Sequence, residues 1–294
     1  PADPNTANRR SSDSRNNPGN APRGRIHNPN PYPDHNRPRS TSSHRSYHPN
    51  QANDDISGVV TAIEVARRLA ARKLPEGSMS VRFLFCPETI GTICYLSHNE
   101  DVIPRLKGGI FCEMTGNSNS IVLQRTRQDN HVLDSISRHV LQKRAGEFRE
   151  GAFRSVIMND EFVINGPGVN VPCISISRWP YDEYHTSDDN PDIISEDMLA
   201  EAADIAEEIT RIYASNYVPK RTFRGPLFLS GYGLWVDWRE DPLLNRSLDE
   251  IMLLLEGEHS LFDIAQKVGL EYDQVREYME KVRIAGMVEA LPIS

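Results

Sequence analysis

From residue 54 onward the apolar positions recur with two alternating periods. Val60, Ile63, Arg67 and Ala70, with Val59, Ala66 and Leu69 beside them, put one apolar stripe on a helix over 57–74. The run SVRFLFC at 80–86 is short and nearly continuous in apolar groups, the pattern of a strand buried on both faces. A helix is expected over 89–97, a second buried strand over 109–114 (GIFCEM) and a third starting at 121–123. Val132, Leu133, Ile136, Val140 and Leu141 predict an amphipathic helix over 130–143. A further strand is expected over 171–176, after the turn signal Gly166-Pro167-Gly168. Ser195 reads as the N-cap of a long helix with an acidic first turn, Glu196-Asp197, and a buried stripe through Leu199, Ala202, Ala206, Ile209 and Tyr213.

Strands alternating with helices predict an α/β fold: a mostly parallel, mixed sheet with helices on both faces and active groups in loops at the strands' carboxyl ends. After a Pro- and Gly-containing stretch with Trp235 and Trp238, three helices (248–255, 261–268, 272–285) and a short strand after Gly286 give a small C-terminal winged-helix pattern. The expected divisions are a tail over 1–47, an α/β domain over 48–240 and the winged helix over 241–294.

Composition changes this picture at the N-terminus. Residues 1–47 contain no Leu, Val, Phe, Met or Trp, too little apolar surface to offset the entropy of ordering. The segment's charge comes from Arg, but the aromatic spacing of a nucleic-acid arm is missing. In the 294-residue chain, 41 Asp and Glu against 33 Lys and Arg give a net charge of −8, which argues against nucleic acid or an anionic membrane as the main partner. The last helix of the winged-helix pattern interleaves Glu271, Asp273, Glu277 and Glu280 with Arg276, Lys281 and Arg283; packing or dimerisation, and so a homo-oligomer, is its expected use. Cys86, Cys94, Cys112 and Cys173 show no CxxC spacing and read as reduced core residues. With no apolar run near the roughly 18 residues of a membrane span and no signal-peptide core, the expected location is cytoplasmic.

Candidate chemistry falls in the loops and strand ends. His48 precedes the adjacent carboxylates Asp54 and Asp55 just before the first helix, Glu88 follows the 80–86 run, Glu113 ends the 109–114 strand, and His185 lies in the loop before the long helix. Imidazoles and carboxylates around an open position are what a hydrolytic zinc site requires. Glu113 after Ile-Phe-Cys would be costly unless paired or metal-bound. His98, His131, His139 and His259 show no partner spacing.

The order His48…Ala52-Asn53-Asp54-Asp55-Ile56-Ser57-Gly58, Pro87-Glu88-Thr89-Ile90-Gly91, Glu113-Met114-Thr115-Gly116, Tyr184-His185-Thr186-Ser187-Asp188-Asp189 resembles the co-catalytic zinc aminopeptidase superfamily. More narrowly, it is similar to bacterial aminopeptidase-like proteins that end in a winged helix, over residues 48–294. The resemblance implies one or two zinc ions, with Asp54 bridging, His185 and Glu88 on one ion, and His48 and Glu113 on the other. It implies an aminopeptidase-like hydrolase that cleaves an amide bond of a peptide or aminoacyl small molecule through a metal-bound water. Asp55 is expected to support the loop. The alternative is a catalytically silent relative that binds a ligand or partner, with the winged helix serving assembly.

Two departures from the family stand out. Active members carry adjacent acidic residues where this chain has Pro87-Glu88, so Glu88 serves as both ligand and catalytic group or another residue is the base; Glu183, two residues before His185, is the candidate. The approach to His48, residues 35–47, lacks the apolar strand that should hold that histidine. Residues 1 to about 47 are therefore expected to be a fragment end or an out-of-frame translation, which the other reading frames upstream of the His48 codon would test.

Overall fold

Helices and strands alternate as the periodicity requires. The computed structural model describes residues 51–293. His48 and the 1–47 segment lie outside them. In chain order the elements are α1 (Gly58–Ala71), α2 (Ile90–His98), β1 (Gly109–Cys112), β2 (Val122–Gln124), α3 (Val132–Arg144), β3 (Arg149–Gly151), α4 (Asp160–Ile164), β4 (Cys173–Ser177), α5 (Glu196–Ser215), β5 (Val218–Arg221), α6 (Pro242–Leu253), α7 (Leu261–Val268), α8 (Tyr272–Ile284) and β6 (Val288–Leu291).

The main sheet is mixed, in the order β1-β4-β2-β3. β4 runs parallel to β1 and antiparallel to β2, and β2 is parallel to β3. β4 is buried along its whole length, as a strand covered on both faces must be. Ile174 and Ile176 join Ile121, Leu123, Leu133, Ile136, Ile205 and Ile209 in one core. The α5 stripe packs against α1 as well, where Val65 meets Ala203 and Ala206. α3 begins at His131, whose ring accepts from the Leu133 N–H while the Asp134 carboxylate accepts from the His131 N–H. His131 is thus a helix cap.

The C-terminal elements share this core. β6 pairs antiparallel with β5, upstream of residue 241, so the small sheet joins chain from both sides of the expected boundary. Pro219 is tolerated in β5 because a two-stranded ribbon leaves outward edges that need no ladder donor. Phe262 on α7 is buried, meets His139 of α3 edge-on at 5.6 Å, and its N–H donates to Asn216.

The 80–86 run is a correction. It forms no strand among the described residues, and Val81, Leu84 and Phe85 are exposed. Only Phe83 reaches the small cluster of Val65, Leu69 and Cys112. An apolar run is stable as a strand only with a neighbouring ladder, and no described strand pairs with this one. The thiols follow suit: all four are free, and Cys86 and Cys94, expected in the core, are exposed because their segments lie outside it. Phe85→Ala should therefore cost no more than about 0.5 kcal/mol, against roughly 3–5 for a buried phenylalanine. Urea denaturation of the two proteins decides between these values.

Candidate functional site

The turn that opens α1 is built by its small polar residues. Across Ala52–Ser57, the buried Asn53 accepts from the Gly116 N–H at 2.9 Å, and the Ser57 hydroxyl accepts from the Thr115 N–H at 2.9 Å. Gly58 brings the turn hard against the end of β1: a Cβ there would lie 2.2 Å from the Cys112 carbonyl oxygen. Any side chain would displace the turn. The approach lets Asp55 Oδ1 accept from the Met114 N–H at 3.0 Å. Asp55 is thereby bonded to the segment that carries Glu113, and burial is the main cause of its carboxyl being held well above the usual range. Its neighbour Asp54 points towards His185, with Oδ2 at 3.2 Å from Nε2. Burial, then Glu88 and then Asp189 push the Asp54 carboxyl up to about 6.

Glu113 follows β1 and is 1% exposed. Ser175 of β4 donates to its Oε1 at 2.8 Å, and Asn159 donates to Oε2. Burial, Asp55 and Glu161 all raise it well above its ordinary value, outweighing the two hydrogen bonds. Glu88 stands on the exposed side, in the turn before α2. That turn is fixed by Asp160, which accepts from the Thr89 N–H at 3.2 Å and from the Thr92 hydroxyl. Partial desolvation and then Asp160 raise Glu88. Glu161 is fully buried; Gln124 donates to it at 2.8 Å and the Asn159 N–H at 3.0 Å. Burial pushes it to about 7.

His185 comes from the loop between β4 and α5, in a left-handed backbone conformation, with its ring stacked on Tyr184 at 3.7 Å. Tyr184 packs edge-on against Trp179 and Tyr181. Glu183 contributes its carbonyl, which accepts from Thr186.

The structure thus brings Asp54 and His185 into contact, with Glu88 acting on Asp54 and Asp55 acting on Glu113. Among the described residues, no three His, Cys, Asp or Glu side chains converge on one point as ligands of an ion. Asp160 and Glu161 lie outside the motifs that carry the resemblance. The signal for Glu161 was its place beside Phe162-Val163-Ile164, where a lone carboxylate needs a partner. The charges acting most strongly on Asp54, Asp55, Glu88, Glu113 and Glu161 are other carboxylates. Such a cluster can hold a cation, or hold and release protons near neutral pH.

An α/β chain with this sheet has known counterparts. Residues 41–216 match the family described as "Domain of unknown function (DUF4910)", and the chain belongs to that family. A Clostridium acetobutylicum protein, described as a candidate polysaccharide biosynthesis protein with an aminopeptidase-like domain, is 30% identical over 240 residues, 78% of this chain. The chain spans 53% of that relative's length. A crystal structure of a candidate peptidase from Clostridium acetobutylicum superposes with a TM-score of 0.62 at 26% identity, covering 81% of this chain and 54% of that one. A zinc aminopeptidase from Bacillus subtilis gives a TM-score of 0.45 at 18% identity, over 60% of this chain and 48% of that one. The architecture is of the aminopeptidase-like α/β kind. Among the described residues no helix is long and apolar enough to cross a membrane.

Proposed function

We propose that this protein is a zinc-dependent, aminopeptidase-like hydrolase acting on an amide bond of a peptide or aminoacyl small molecule. The observation that supports this most is the contact of Asp54 with His185 at 3.2 Å, with Glu88 acting on Asp54. Asp54, raised by Glu88 and in contact with an imidazole, suits a divalent cation that would neutralise it, and nitrogen with oxygen donors suits zinc. Asp54, Glu88, Glu113 and His185 would hold the metal, with His48 as the fifth donor. Zinc at such a site supplies Lewis acidity towards a carbonyl oxygen and towards water. The chain's own residues do the remaining work. Glu88, exposed and raised, would move a proton between solvent and the leaving amine. Glu183 is the second carboxylate for that task. The Trp179, Tyr181 and Tyr184 rings give an apolar wall beside His185.

The C-terminal helices with the β5-β6 ribbon support a winged-helix reading in which the module packs. On α8, Arg276 lies 3.6 Å from Asp273 and Arg283 pairs with Glu280 at 2.6 Å, so these bases already face carboxylates. That is a poor surface for phosphates.

The direct test is metal content and turnover. Protein purified in zinc-containing buffer and then desalted should retain at least one zinc by elemental analysis and release aniline from aminoacyl-anilides. Absence of zinc would end the hydrolase reading. Zinc without turnover of anilides or dipeptides would favour the silent relative.

A further inference from the structure

One buried carboxylate joins the two chain segments that bear Asp54 and His185. Asp189 is 2% exposed and lies four residues after His185. Its Oδ1 accepts from the Asn53 N–H at 2.7 Å, and its Oδ2 accepts from the Asp54 N–H at 3.1 Å and from the Tyr181 hydroxyl at 2.9 Å. Its carbonyl accepts from the Ala52 N–H at 3.2 Å. Four donors, three of them consecutive backbone N–H groups, therefore end on one residue. These N–H groups lie in the first turn of a helical segment, where no local partner is available; two depend on the side chain and one on the carbonyl of a residue more than 130 positions away.

This arrangement has a purpose that packing alone does not supply. Tyr181 needs its phenol to be a donor, and burial together with Asp189 keeps it protonated. With the hydroxyl fixed on Oδ2, the carboxylate cannot rotate away from the Asp54 N–H without losing two bonds at once. The Asp54 backbone is thus held against the loop that presents His185. Charge-assisted bonds of this kind are the stronger class, and groups that orient ligands in this way contribute to metal affinity.

We propose that Asp189, locked by Tyr181, is a positioning residue that sets Asp54 relative to His185 ahead of zinc binding. The proposal rests on the reading that Asp54 and His185 are zinc ligands. It assigns Asp189 no contact with substrate or metal.

The test uses the full chain and zinc or cobalt(II) alone. Zinc affinity is measured by competition with a chromophoric chelator, coordination by the cobalt d–d absorption, and folding by melting of the metal-free protein. Asp189→Asn should weaken zinc binding about 10–100-fold and change the cobalt bands. Tyr181→Phe, which removes one donor and keeps the ring, should weaken it several-fold with the metal-free melting point nearly unchanged. If Asp189→Asn fails to fold, Tyr181→Phe alone decides. Wild-type zinc affinity and an unchanged cobalt spectrum in whichever variant folds would overturn the proposal while leaving the zinc reading intact. Failure of the wild-type protein itself to bind zinc would overturn that reading, and this inference with it.

Discussion

Asp54→Asn lowers zinc-dependent turnover by at least about 10²–10³-fold, the loss seen when one preorganised electrostatic group is removed from a site, and it raises the melting temperature of the metal-free protein at pH 8. The two effects have opposite signs for one reason. Asp54 is surrounded by Glu88 and Asp189 and partly buried, so its carboxyl sits near 6. At pH 8 it is ionised, and holding that charge costs about 1–2 kcal/mol after allowance for its partial exposure. Asparagine keeps the shape and the contact with His185 while removing the charge. For an ordered region of this size the gain is about 2–6 °C. Zinc should then give the variant little further stabilisation, whereas it stabilises the wild type in proportion to its binding. Calorimetry with and without zinc, beside anilide turnover, checks both halves. A variant that is less stable without metal yet equally active would mean that Asp54 is a structural residue and not a ligand.

Much of the scaffold could be read directly from periodicity. The stripes of α1, α3 and α5 and the apolar runs of β1, β2 and β4 lie within a few residues of their expected positions, because burial against a covered sheet leaves an unambiguous pattern. β3 is Arg-Glu-Gly, mostly exposed at the sheet edge, and carries no apolar alternation by which to find it. The 80–86 run misled for the converse reason: its residues suit a buried strand, but pairing is a property of neighbours and not of the segment.

The site was legible in a different way. Glu113 announced itself as an acid at the end of an apolar run, and it is indeed buried and held by Ser175 and Asn159. That Asp54 should meet His185 came only from the resemblance, because a contact across so long a stretch of chain leaves no local trace. Asp189 stood inside a quoted motif without a role, since its task is to accept backbone N–H groups from a distant turn. Glu161 was hidden because its partner Gln124 comes from β2, on a separate segment.

Glu161 governs the second large effect, the pH dependence of the metal-free protein. Its folded-state value of about 7 lies above its ordinary 4.5, so the folded protein binds a proton more tightly than the unfolded chain. The sign follows: this contribution is fully present below about 4.5 and is lost as pH rises through 7. Asp54 acts in the same direction through about 6. The carboxylates held low by arginine or lysine, Glu64, Glu150, Glu271 and Glu280, act in the opposite sense but only in more acid solution. Chelator-treated protein should therefore melt higher at pH 5 than at pH 8, with Glu161 alone accounting for about 3 kcal/mol, or roughly 5–10 °C. Zinc-loaded protein should show the reverse trend, because protons compete with the metal for the same carboxylates. Glu161→Gln isolates the residue. Gln124 is oriented by the Val156 and Ile157 N–H groups on its oxygen, so it must present its amide N–H to position 161. The substituted amide has only one oxygen to meet both that donor and the Asn159 N–H, which lowers stability at pH 5 by about 1–2 kcal/mol. The informative quantity is the slope between pH 5 and pH 8, which should flatten in the variant, with Asp54, Asp55 and Glu113, also raised by burial, supplying the remainder. An unchanged slope would show that Glu161 is not the group whose buried proton the fold retains.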